Sequence, residues 1–189
     1  MSLRNRKQIV IDANIGRGSS DDKRFNPLIG SLGDHSHQCL QAFWEERHFA
    51  VFSKKLRDEW DKHANSYAKS WLSRMTLKSR ILNEEGEQFV ELLGPACSCL
   101  AIDGYRAALA KDFHLVQSAL ASGQLILSNE TKFPHYIGMA CDSVPALTQL
   151  HYANPQVEGE ECKLWIKAGA EKEPRRRIDV WALNYLSDE

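Results

Sequence analysis

Four acidic residues stand beside apolar segments rather than out on polar stretches. Asp12 closes the apolar run of residues 9–11 in "IVIDANI". Glu59 precedes Trp60 on an apolar helical stripe, with His63 one turn later. Asp112 heads the segment "DFHLVQSALASG", and Glu130 follows "LILS". A carboxylate removed from water must be paired, protonated or bound to a cation. Acids gathered in one place repel each other unless a cation joins them, and Mg²⁺ or Mn²⁺ with oxygen ligands suits that role. Such ions lower the pKa of a bound water and neutralise charge on an attacked phosphate. With no nucleophilic Cys or Ser beside the acids, the expected chemistry is metal-dependent hydrolysis.

Each residue also has a plainer reading. Asp12 can form an Asx turn after a strand, and Asp112 can cap its helix. Glu59 can pair with His63 or Lys55 at four-residue spacing, which is worth only tenths of a kcal/mol. Glu130 can be a solvated loop acid. The "HSH" at 35–37 reads as loop or cap, because residues two apart do not share a helix face. His63 and His114 read as hydrogen-bonded structural residues. "RRR" at 175–177, with Lys163, Lys167 and Lys172 upstream, is either a phosphate-binding patch or a solvated face.

The elements that must position these residues follow from periodicity. Residues 8–12 read as a buried strand, and 16–34 as loop, dense in Gly, Ser, Asp and Pro. A helix is expected over about 35–47, with Cys39, Leu40, Phe43 and Trp44 on one face, and a strand over 48–53. Ser53 caps a long helix carrying Leu56, Trp60, Ala64, Tyr67 and Trp71. Residues 72–95 continue as one or two helices, broken near Asn83 and Gly94-Pro95. Residues 97–102 suit a third strand. A helix from Asp112 to the stop at Gly123 leads at once into a strand over 125–128, the αβ half of a parallel unit. Another helix is expected over 144–152. Asn154-Pro155 starts the next, with Glu158, Glu160 and Glu161 early and Lys163 and Lys167 late, ending at Gly169. Residues 178–182 add an edge strand or stay partly disordered. Alternating helices and short apolar strands predict an α/β fold with a mainly parallel sheet, whose ligands bind outside the carboxyl ends of the strands. Asp12 lies at one such end, and Ser128, Asn129 and Glu130 at another.

Composition sets the outer bounds. The 189 residues suit one domain. A net charge of -1 predicts no broad grip on nucleic acid or anionic membrane, although a local basic patch remains open. No apolar run approaches the ~20 residues of a membrane span. "MSLRNRKQ" leads into too short an apolar stretch for a secretory signal. Five cysteines at irregular spacing, with no C-x-x-C, read as reduced thiols in a cytoplasmic protein. Cys97 and Cys99 are poorly spaced for zinc.

Three segments in this order resemble the PIN domain family. "IVIDANI" (9–15) is similar to its first motif, and "KKLRDEWDKH" (54–63) to its second, a helix with one glutamate. "KDFHLVQSALASGQLILSNE" (111–130) is similar to its third and fourth, an Asp-x-His-Leu helix and a strand ending in Ser/Thr-x-acid. The resemblance implies a single domain over 1–189 that is a three-layer α/β/α sandwich. Its core would span about 8–135, with a C-terminal helical extension and tail over about 143–189. It implies a Mg²⁺- or Mn²⁺-dependent endoribonuclease, with Asp12, Glu59, Asp112 and Glu130 as catalytic acids and Asp12, Asp112 and Glu130 on the metal. Ser128, Asn14, Lys132, Arg175, Arg176 and Arg177 are the expected substrate contacts. Many bacterial members are toxins held by an antitoxin, and many dimerise, so an antitoxin and a homodimer are expected partners besides RNA. Glu130 replaces the commoner aspartate, one methylene shorter. A weakened acid set would instead make a PIN-like module that binds protein or RNA without cutting, and related folds cut structured DNA.

Overall fold

A computed structural model of the chain describes residues 6–19 and 32–185. Five strands, β1 (Gln8–Ile11), β2 (Phe49–Phe52), β3 (Ile81–Asn83), β4 (Leu125–Leu127) and β5 (His151–Ala153), form one sheet in the order β3-β2-β1-β4-β5. Every neighbouring pair is parallel. The central strands are apolar because both faces are covered: Ile9, Val10, Ile11 and residues 125–127 are all buried.

The covering helices are α1 (Ala13–Gly18), α2 (Leu32–Glu45), α3 (Lys54–His63), α4 (Ser66–Leu77), α5 (Leu93–Ser98), α6 (Asp103–Leu120), α7 (Lys132–Ala140), α8 (Pro155–Glu158), α9 (Glu160–Lys167) and α10 (Ile178–Tyr185). They fall into two packed groups. In one, α2 packs on α8 and α9, and α1 on α3; in the other, α6 packs on α5 and α7, and α7 on α10. With the sheet between them the molecule is an α/β/α sandwich. Among the described residues no helix is long and apolar enough to cross a membrane.

Several boundaries differ from expectation. The third strand is Ile81–Asn83, not 97–102, which divides between α5 and the lead into α6. The segment read as a helix over 144–152 is a short 3-10 turn followed by β5, so the sheet extends past residue 135 into the C-terminal part. Residues 178–182 are helical, not an edge strand. Of the loop expected over 16–34, residues 16–18 belong to α1 and 32–34 to α2, and residues 20–31 lie outside the described residues. The long helix after Ser53 breaks at Ala64, and Asn65 caps α4 by accepting from Ala68 N. Asn154 caps α8 as expected, accepting from Gln156 N at 2.9 Å. Helix α8 stops after one turn because Gly159 takes φ +58°.

Candidate active site

The strand order reverses between β1 and β4, since the chain builds one half of the sheet outward from β1 and the other outward from β4. At such a switch point the connections leave in opposite directions and a crevice opens beyond the carboxyl ends. The register pairs Ile11 with Leu127, so the next residues, Asp12 and Ser128, emerge side by side. Ser128 Oγ donates to Asp12 Oδ2 at 2.7 Å and accepts from Asn14 Nδ2 at 3.1 Å and Glu130 N at 3.0 Å. Asn14 Oδ1 accepts from Asn129 N at 2.9 Å. These bonds tie the first turn of α1 to the loop after β4. Asp12 also caps α1 through a long 3.5 Å contact from Asn14 N to Oδ1, so Oδ1 is the less engaged oxygen.

Helix α3 is seated by Trp60, whose indole nitrogen donates to Ile11 O at 2.8 Å, one residue before Asp12. Its ring lies against Gly16, where a Cβ would come within 2.9 Å. Glu59, the preceding residue, thereby faces the cleft. It pairs with neither Lys55 nor His63 among the described residues; its Oε2 lies 3.6 Å from His114 Nε2. Burial, then Lys55 and Lys111, push the His114 imidazole down to about 4, so that contact joins a carboxylate to a neutral ring and is no ion pair. His114 Nδ1 lies 3.2 Å from Lys111 O, which can only accept. That bond places the proton on Nδ1.

Asp112 does not open its helix. It sits in the interior of α6, which starts at Asp103, so capping does not account for it. Asp12, Glu59, Asp112 and Glu130 line one cleft of about 290 Å³, together with Asn14, Arg17, His63 and Lys111. The acids feel each other. The Asp12 carboxyl is raised to about 6, first by burial and then by the charges of Asp112 and Glu59, against the lowering effect of the Ser128 hydrogen bond. Burial also raises Asp112, and Glu130 adds to this, opposed by Lys111 and Lys55. Asp12 and Asn14 are half-buried, whereas Glu130 is exposed and its Oε1 accepts from Lys132 N at 3.2 Å. Among the described residues no three His, Cys, Asp or Glu side chains are drawn close enough to hold a metal ion as they stand. The acids share a cleft without forming a closed ligand cage.

Other expectations move. Arg176 is buried, 2% exposed, ion-paired with Glu158 and 4.6 Å over the Trp165 ring. Arg175 pairs with Glu173 at 2.7 Å, and Arg177 with Asp179. None of the three, nor Lys132, lines the acidic cleft. The arginine run braces α8 and α10 because Glu158, read as a dipole partner, is itself buried and accepts from Trp181 Nε1 at 2.9 Å. His63 is exposed at the cleft rather than structural. His35 and His37 lie on α2, where His37 stacks on Tyr67 at 3.9 Å. The five cysteines are free. The cleft's own cations, Arg17 and Lys111, escaped the sequence reading. Arg17 lay in a stretch read as loop, and Lys111 was hidden by placing the helix start one residue after it. No family model matches the chain, and no curated protein or solved structure matches it.

Proposed function

We propose that the chain is a PIN-like, Mg²⁺- or Mn²⁺-dependent ribonuclease. The reading rests above all on Asp12, a carboxyl raised to about 6 beside Asp112 and Glu59 at the switch point of a parallel sheet. The donor set suits a hard divalent cation, since four carboxylates face the cleft with an amide and no thiol. Asp12, Asp112 and Glu130 are the residues that would hold the ion. When bound, it would acidify a water and offset charge on the attacked phosphate. Ser128 fixes Asp12 through Oδ2 and leaves Oδ1 the less engaged oxygen. Glu59 completes the anionic wall or orients the attacking water. Arg17 and Lys111 take the phosphate-steering role first assigned to Arg175–Arg177 and Lys132. The free cysteines favour a reducing, cytoplasmic setting.

A second reading, a PIN-like module that binds RNA or protein without cutting, is favoured by the open arrangement of the acids and by the bond that engages Glu130 with its own loop. Cleavage of single-stranded RNA, with flap DNA as comparison, separates the two. With Mn²⁺ the wild type should cut RNA, and Asp12→Asn should lose at least about 100-fold, since even outer partners of metal ligands cost 10–100-fold. A wild type that binds RNA and leaves it intact at saturating Mn²⁺ supports the module. Full activity in Asp12→Asn sinks the enzyme.

A further inference from the structure

A second cleft, of about 620 Å³, opens at the other end of the sheet, beside the amino ends of β1 and β2. It is lined by Arg6, Arg47, Lys78 and Arg80, with Trp44 and Glu45. Two helices end there. After α2 the chain turns through Arg47 at φ +62°, and after α4 through Ser79 at φ +52°. These turns bring Arg47, Lys78 and Arg80 to one place although residues 47 and 78 are far apart in the chain. Arg80 is only 7% exposed; its Nη1 donates to Trp44 O at 3.0 Å and its guanidinium lies 4.0 Å over the Trp44 ring.

Cations at helix carboxyl ends are expected, because each end carries roughly half a negative charge. That plainer account does not balance here. Two helix ends offset about one charge. Glu45 is shared with Lys167, 3.2 Å away. Among the described residues no acidic side chain pairs with Arg6, Arg47, Lys78 or Arg80. The charged neighbours that act on buried Arg80 are Arg47 and Arg6, both repulsive. At least two positive charges therefore lack a partner in a concave site, on a chain whose net charge is -1. The volume is in the range of small-molecule pockets. Guanidinium forks match the oxygens of phosphate.

We propose that this cleft binds a terminal phosphate group, its oxyanions shared by Arg6, Arg47, Lys78 and Arg80. The site is independent of the acidic cleft, which about 20 Å of extended chain, from Arg6 to Asp12, separates from it. It would accept the phosphate of a nucleotide-sized molecule or of a 5′-phosphorylated RNA end. The test is titration of the full chain with inorganic tripolyphosphate in EDTA, which removes any contribution of divalent ions at the acids. Binding is read by calorimetry and by melting temperature. The double variant Arg47→Gly, Lys78→Gln removes two cations, and glycine suits the left-handed backbone at 47. Wild-type binding that exceeds that of sulfate at matched ionic strength and weakens about tenfold or more in the double variant upholds the site. Equal affinity in a variant that melts as the wild type does, or no binding beyond sulfate, overturns it. Displacement of tripolyphosphate by a 5′-phosphorylated oligoribonucleotide and not by its 5′-hydroxyl form identifies an RNA end as the source. Displacement by neither identifies a free phosphorylated molecule. Equal displacement by both contradicts recognition of a terminal phosphate.

Discussion

Asp12 is the residue on which the proposed chemistry turns, and its own thermodynamics make it testable without substrate. An ordinary carboxyl at 3.8 is raised to about 6 in the fold. The folded state thus holds this proton more tightly than the unfolded chain. The resulting stabilisation is fully present below pH 3.8 and is lost as pH rises through about 6. At pH 8 without divalent ions the charged carboxylate costs about 1–3 kcal/mol. Asp12→Asn removes the charge and can still accept from Ser128. It should therefore melt higher than wild type at pH 8 in EDTA by that amount, with the gain gone near pH 4. A cation reverses the sign: protons compete with it for Asp12, so Mn²⁺ affinity measured by calorimetry should fall steeply below pH 6. A flat affinity between pH 5 and 8 would remove Asp12 from the ligand set.

The elements owe their placement to a few contacts that can each be broken. Gly16→Ala drives a methyl to within 2.9 Å of the Trp60 ring and should cost about 1–3 kcal/mol in chemical denaturation, because α1 and α3 must separate. Glu158→Gln removes the buried partner of Arg176 and leaves it, among the described residues, only Glu173, 3.4 Å away, so it should cost about 2–4 kcal/mol in chemical denaturation. The same contacts show what a linear reading could find. Strands β1, β2 and β4 were legible as apolar runs, as were the caps at Ser53 and Asn154, since those signals are local. Strands β3 and β5 were not. Each has three residues, Ile81–Asn83 is only partly buried, and "HYA" lacks a β-branched residue. Helix α6 was started nine residues late, although Ala107, Ala108 and Ala110 are strong helix formers. The four acids were found from their positions beside apolar segments. The burial of Arg176 was not legible, because an ion pair between residues 158 and 176 leaves no local trace. The basic cleft escaped for the same reason, its residues coming from three separate parts of the chain.

At the scale of the whole molecule, charge is polarised along the strands. Acids gather at the carboxyl ends and unpaired cations at the amino ends, which a net charge of -1 conceals. An ion that binds only the folded acidic cleft must stabilise the entire domain. At a concentration one hundred times its dissociation constant the gain is about 2.7 kcal/mol, visible as a higher melting temperature that Asp12→Asn and Asp112→Asn each abolish. The most direct test of the metal-dependent reading is a crystal structure with Mn²⁺ and its anomalous difference map. The account predicts a peak in the acidic cleft touching oxygens of both Asp12 and Asp112. A cleft without a peak at saturating Mn²⁺, or an ion bound only elsewhere, would contradict it.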